Sequence, residues 1–188
     1  MNRYYTKLDS ISPSLYNKFE NLGEQHVCGG GWTRYYRTDL SRNILLPDYL
    51  KYKFNLSYMT FIGDNAHPHV DLDIGCRINI YLSENNCPTK FWSVKSQEFE
   101  KPRPVSCADC TVEKFCAGEC QCSFKQENLV LEDQFVAHKH DIYLLNIRRI
   151  HSVEGLSKTN YREALTFTTD LDYDTVYEAL REYGAFYV

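Results

Sequence analysis

"HPHVDLDIGCRINIYLS", residues 67–83, places two histidines and two carboxylates within seven positions and follows them with a run of alternating character. In an extended strand, side chains two apart share a face. His69 and Asp71 therefore point together, and Val70 points away. Such an H-x-D pair offers two adjacent metal ligands from one strand. Asp73 has the same parity as Asp71 and is the rival carboxylate. His67 precedes Pro68 and belongs to the entry loop, in a solvated or supporting role. On the following run Arg77 and Asn79 alternate, so both can face the same interior.

Around this stretch lie other short apolar and aromatic runs separated by turn signals. They are "KFNLSYMTFIG" (53–63), "KFWSV" (90–94), "QENLVLEDQFVAH" (126–138), "HDIYLLNIRRIHSV" (140–153) and "YREALTFTTDL" (161–171). Runs of this length and spacing predict a β-sandwich or barrel. The aromatic share of 14% leans the same way. Two flanking stretches read as helices, and only the second has helical spacing. "SPSLYNKFENLG" has Ser14 and Gly23 as start and stop, and "DYDTVYEALREYGAF" can gather Val176, Leu180 and Tyr183 on one face, with Asp172 or Asp174 near its N-cap. A length of 188 residues suits one domain spanning 1–188, interrupted by a Cys-rich insertion at about 94–128.

The net charge of -4 supplies no basic field for general nucleic-acid binding, so a nucleic-acid partner is not expected. No apolar run is long enough to span a membrane, and "MNRYYTKLDSISPS" lacks the apolar core of a secretory signal. The expectation is a cytoplasmic protein, whose eight cysteines would serve as metal ligands or thiols more than as disulfides.

A facial triad of two histidines and one carboxylate needs one more histidine from a distant strand. His26, His138, His140 and His151 are available, and His151 fits best, in the strand-like run where Tyr143, Leu145 and Ile147 alternate. His138 and His140, in "AHKHD", read as a turn. Arg162 follows His151 after the turn-rich "EGLSKTN", and a hairpin there would set it on a neighbouring strand. Its planar fork can bind a carboxylate bidentately.

The order H-x-D, distant H, then R, here His69, Asp71, His151 and Arg162, resembles the iron(II)- and 2-oxoglutarate-dependent oxygenases. The resemblance covers roughly residues 54–92 and 141–170. It implies a double-stranded β-helix, the jelly-roll barrel of cupins, with flanking helices. It also implies iron(II) on His69, Asp71 and His151, which are then the catalytic residues. 2-Oxoglutarate would chelate the iron and pair its far carboxylate with Arg162, and dioxygen would be the oxidant. Tyr58, Arg77 and Asn79 are further co-substrate candidates. The implied activity is hydroxylation of an amino-acid side chain in a protein, or of a small molecule, with decarboxylation of 2-oxoglutarate to succinate.

"SCADCTVEKFCAGECQC" (106–122) holds five cysteines. Cys107, Cys110, Cys116 and Cys120, with Cys122 as alternate, have spacing that can enclose a structural zinc. Disulfides and free thiols are the other readings. Two alternatives to an oxygenase stay open: a non-catalytic cupin-like module that binds metal or carboxylate, and a zinc-organised interaction protein. The residues leave the oligomeric state open.

Overall fold

The computed structural model describes residues 4–8, 25–28, 32–36, 54–61, 65–71, 74–95, 103–105 and 121–182. Two antiparallel sheets account for most of them. The larger contains β1 (Tyr5–Leu8), β2 (Gln25–Cys28), β3 (Trp32–Tyr36), β4 (Asn55–Phe61), β6 (Cys76–Tyr81), β11 (Ile142–Leu145) and β13 (Arg162–Thr169), ordered β1-β11-β6-β13-β4-β3-β2. The smaller contains β5 (Ala66–Asp71), β7 (Pro88–Val94), β8 (Arg103–Val105), β9 (Gln121–Ser123), β10 (Leu129–Val136) and β12 (Ile150–Val153), ordered β10-β7-β12-β5-β9-β8. From β4 to β7, and again from β10 to β13, the chain passes back and forth between the sheets, so sequence neighbours such as β5 and β6 lie in different layers. That is the jelly-roll arrangement, and the protein is a mainly β, cupin-like jelly roll with one described α-helix, α1 (Tyr173–Glu182).

β6 shows why the layers form. Its even positions, Cys76, Ile78 and Ile80, join Ile142, Leu144, Leu165 and Phe167 in a core covered by Tyr173, Val176 and Leu180 of α1. Its odd positions, Arg77, Asn79 and Tyr81, are also buried, because they face the space between the sheets. A second cluster fills part of that space, with Tyr81, Phe91, Phe135, Tyr143, Leu145 and Ala164 among its members and Tyr4 and Tyr5 packed against it. The helix opens on Asp172, whose Oδ1 accepts from the Thr175 backbone N–H at 2.8 Å. This N-cap bond is the main cause holding the Asp172 carboxyl below its ordinary pKa.

The corner between β5 and β6 depends on Gly75. A Cβ there would lie 2.0 Å from the Leu171 carbonyl oxygen and 2.5 Å from that of Asp170. Only glycine admits so close a backbone approach.

Two sequence expectations change. The run 140–153 is broken into β11 and β12, in different sheets, by a turn in which the Arg149 N–H donates to the Asn146 carbonyl at 3.1 Å. The expected hairpin between His151 and Arg162 is replaced by a crossing from one sheet to the other. Gly155, at φ 79°, and the Ser157–Asn160 turn (Ser157 N–H to Asn160 carbonyl, 2.9 Å) redirect the chain there. The predicted helix at 12–23 lies outside the described residues, as does Tyr183.

Candidate metal centre

His69 and His151 sit directly opposite each other in the β5–β12 ladder. Opposed residues of an antiparallel pair bring their side chains together on one face. The two rings are 4.3 Å apart between centroids. Asp71, two residues beyond His69, is held by its backbone N–H on the Ile147 carbonyl at 3.2 Å. All three side chains are buried, and their ligand atoms lie within 4.8 Å of one another. His69 Nε2 is 3.6 Å from Asp71 Oδ1, and His151 Nε2 is 4.0 Å from Asp71 Oδ2. Neighbouring ligands on an ion with bonds of about 2.1 Å sit roughly 3 Å apart, so a small contraction would close the group around a metal.

Both rings are oriented by their other nitrogen. His69 Nδ1 lies 2.7 Å from the His67 carbonyl, and His151 Nδ1 lies 2.9 Å from that of Arg149. A carbonyl only accepts, so each Nδ1 carries a proton, and each Nε2 is turned toward Asp71. His67 thus contributes its backbone, while its side chain is exposed. Burial, and next the neighbouring His69, push the His151 ring down to about 3, against the pull of Asp71. His151 is therefore neutral near pH 7 and makes no ion pair with Asp71. A neutral imidazole is the form a metal binds.

Arg77, on β6, donates from Nη2 to Asp71 Oδ2 at 3.3 Å. The sequence suggested a co-substrate role for it, and the structure sets it against the carboxylate of the candidate triad. Asn79 Oδ1 accepts from the Thr166 hydroxyl at 3.0 Å. Arg162, 2% exposed, donates from Nη1 to the Thr89 hydroxyl at 2.9 Å and from Nη2 to the Cys87 carbonyl. Its guanidinium lies over the Tyr81 ring, 5.2 Å from the centroid. Arg162 Nε is buried without a hydrogen-bond partner, and among the described residues no carboxylate pairs with this side chain. Burial raises the Cys87 thiol pKa, more than Arg162 lowers it, so no thiolate neutralises the charge. Along β7, Thr89 and Phe91 are two residues apart on one buried face, about 7 Å. Phe91 is the cross-strand partner of His151. The Arg162 fork thus lies in the same interior as the triad, a short span away.

Tyr81 and Thr89 escaped the sequence reading. Tyr81 shares the parity of Arg77 and Asn79, which could have flagged it, whereas Thr89 is visible only through cross-strand contact. Tyr58 lies on β4 with its backbone opposite Leu165 and Tyr35. Asp73, Cys107, Cys110, Cys116 and Cys120 lie outside the described residues, and Cys122 stands on β9, opposite Val70. His138 opens a tight turn and His140 lies within it, as expected, with the Asp141 N–H on the His138 carbonyl at 3.0 Å and His140 at φ 74°.

No protein-family model and no curated protein sequence matches the chain. Solved structures do. A cupin-like protein from Thermotoga maritima is 10% identical, with 88% of this chain and 95% of that one covered and a TM-score of 0.37. HygX from Streptomyces hygroscopicus, solved with nickel, 2-oxoglutarate and hygromycin B, is 12% identical, with 88% and 82% covered and a TM-score of 0.48. YcfD from Escherichia coli is 12% identical with a TM-score of 0.40, and the match covers 100% of this chain but 49% of that one. At these identities the likeness is one of fold. Among the described residues, no helix is long and apolar enough to cross a membrane.

Proposed function

We propose that the chain is an iron(II)- and 2-oxoglutarate-dependent dioxygenase that hydroxylates a protein side chain or a small molecule. One observation carries this reading: His69, Asp71 and His151 converge in a barrel interior that also holds the buried Arg162, with which no carboxylate among the described residues pairs. Two imidazoles and one carboxylate are the donor set of non-haem iron(II) sites that keep positions open for other ligands. A buried guanidinium without an anion leaves an uncompensated charge, and a carboxylate ligand would satisfy it.

His69 and His151 would hold the ion through Nε2 and Asp71 through a carboxylate oxygen. When bound, iron(II) with 2-oxoglutarate and dioxygen supplies decarboxylation to succinate and carbon dioxide, and oxidation of a substrate C–H bond to an alcohol. Arg162 binds the far carboxylate, with Thr89 and Tyr81 fixing the plane of its fork. A dicarboxylate lying between the triad and Arg162 would run along β7, where Thr89, which holds the fork, stands two residues from Phe91, the cross-strand partner of His151. Phe91, overlaid by Tyr4 and Tyr5 at 5.5 and 5.7 Å, excludes water from the His151 side.

The test is direct. Anaerobic protein with iron(II) and 2-oxoglutarate should develop a visible charge-transfer band, and with air it should release succinate at a slow uncoupled rate. His69→Ala should lose both. Arg162→Ala should keep the ion but need roughly 10- to 100-fold more 2-oxoglutarate, as loss of charge-assisted hydrogen bonds of about 1.5–3 kcal/mol implies. Absence of the band and of succinate in the unmodified protein would refute the proposal. A band without succinate would make the protein a binding module.

A further inference from the structure

We propose that the turn between β11 and β12 is a docking rim that takes an acidic peptide segment on Arg148 and Arg149. The residue to be oxidised then sits beside carboxylates of its own chain. This rests on the function proposed above and, within it, selects a protein substrate over a small molecule.

The turn leads from the larger sheet to the smaller, so it crosses the end of the barrel that carries the triad. It is closed by the Arg149 N–H on the Asn146 carbonyl at 3.1 Å, and Ile147 within it is 1% exposed. Two of its carbonyls hold the triad. That of Ile147 accepts from the Asp71 N–H at 3.2 Å, and that of Arg149 faces His151 Nδ1 at 2.9 Å. The backbone from which both arginines start is therefore fixed against the metal ligands themselves.

Both arginine residues are exposed. Arg148 Nε donates to the carbonyl of Ile74, three residues beyond Asp71, at 3.4 Å. Among the described residues neither arginine pairs with a carboxylate. Surface arginines are ordinarily just solvated. These two differ in standing on a rigid turn a side-chain length from the triad, where a ligand approaching the centre has to pass. Loops held by a rigid scaffold are where such recognition is commonly built.

Arginine forks accept carboxylates bidentately, and arginine clusters read acidic segments of other chains. An exposed turn cannot enclose a small molecule, as a small-molecule site must. An extended peptide can set carboxylates on the two forks and send a neighbouring side chain toward the triad. The net charge of -4 opposes a polynucleotide, which needs a wider basic field.

The experiment selects randomised synthetic dodecapeptides on the whole chain, with manganese(II) and 2-oxoglutarate present. Bound peptides should be enriched in Asp and Glu. Arg148→Glu combined with Arg149→Glu should lose that enrichment and select Lys and Arg instead. Replacing Asp and Glu of the selected peptides by Asn and Gln should weaken binding by about fivefold or more, and added salt should weaken it too. No acidic enrichment, or enrichment that survives charge reversal, overturns the inference. Single-stranded DNA that binds more tightly than these peptides, and only while the arginines are present, also overturns it and makes the rim a nucleic-acid site. Bound manganese should broaden the NMR signals of the docked peptide, and signals left sharp beside a bound ion place the peptide elsewhere and overturn the inference. Should manganese itself not bind, the function proposed above fails, and the same selection without metal still decides whether the arginines dock a peptide. Should the charge-reversed variant fail to fold, the unmodified protein decides through the Asn and Gln peptides, whose undiminished binding overturns the inference.

Discussion

His151 exchanges solvent for a place beside His69 and Asp71, and burial holds its ring near a pKa of about 3. In the unfolded chain it titrates near 6.5. The folded value is the lower one, so its contribution to stability is complete above pH 6.5. That contribution is lost as pH falls toward 3, while the unfolded chain takes up a proton the folded one refuses. The loss is about 1.4 kcal/mol per pH unit within that window. Urea unfolding of the metal-free protein at pH 7, 6, 5 and 4 should show it, and His151→Gln should flatten the decline. At this scale the sequence was most legible where spacing alone fixes direction, as with His69, Val70 and Asp71. It was least legible where a partner comes from another strand. Parity with Asn79 set Arg77 on the inner face, but nothing local announces that β6 brings it against Asp71.

The β5–β6 corner shows how much one backbone contact can decide. Gly75 donates its N–H to the Thr169 carbonyl at 2.7 Å, and the space its Cβ would need is filled by backbone of residues 170 and 171. Carbonyl oxygens cannot rotate aside as a side chain can. Gly75→Ala should therefore cost at least about 2 kcal/mol, the range of overpacked interiors, and lower the melting temperature by several degrees. Gly155→Ala is a useful contrast, because its nearest neighbour would be 3.8 Å away and only its φ of 79° opposes the change, at about 1 kcal/mol. Differential scanning calorimetry of the two variants separates steric exclusion from conformational preference. Strand existence was readable from alternation and turn residues. Strand pairing was not, since a hairpin and a sheet-to-sheet crossing can be written with the same turn residues.

Across the described residues of the whole molecule, the core under α1 and the candidate metal centre lie on opposite sides of one sheet. Val176 and Leu180 of α1 are 0% and 1% exposed, packed on the face of β6 turned away from Asp71. Leu180→Ala should remove about 2–5 kcal/mol, as core truncations of this kind do, and lower the denaturation midpoint. Manganese(II) affinity of the folded protein should stay within about twofold, since no residue of the triad touches that core. The jelly roll itself was legible as a set of short strands joined to a resemblance, and the C-terminal helix as the single 3.6-residue period late in the chain. The layer order was not legible, because it is set by contacts between strands distant in sequence.

Cys76–Tyr81 carries both layers on six consecutive residues. Selection for heat resistance and selection for a new chemistry would then act on alternate letters of one short word. Either could proceed for many generations without rewriting the other.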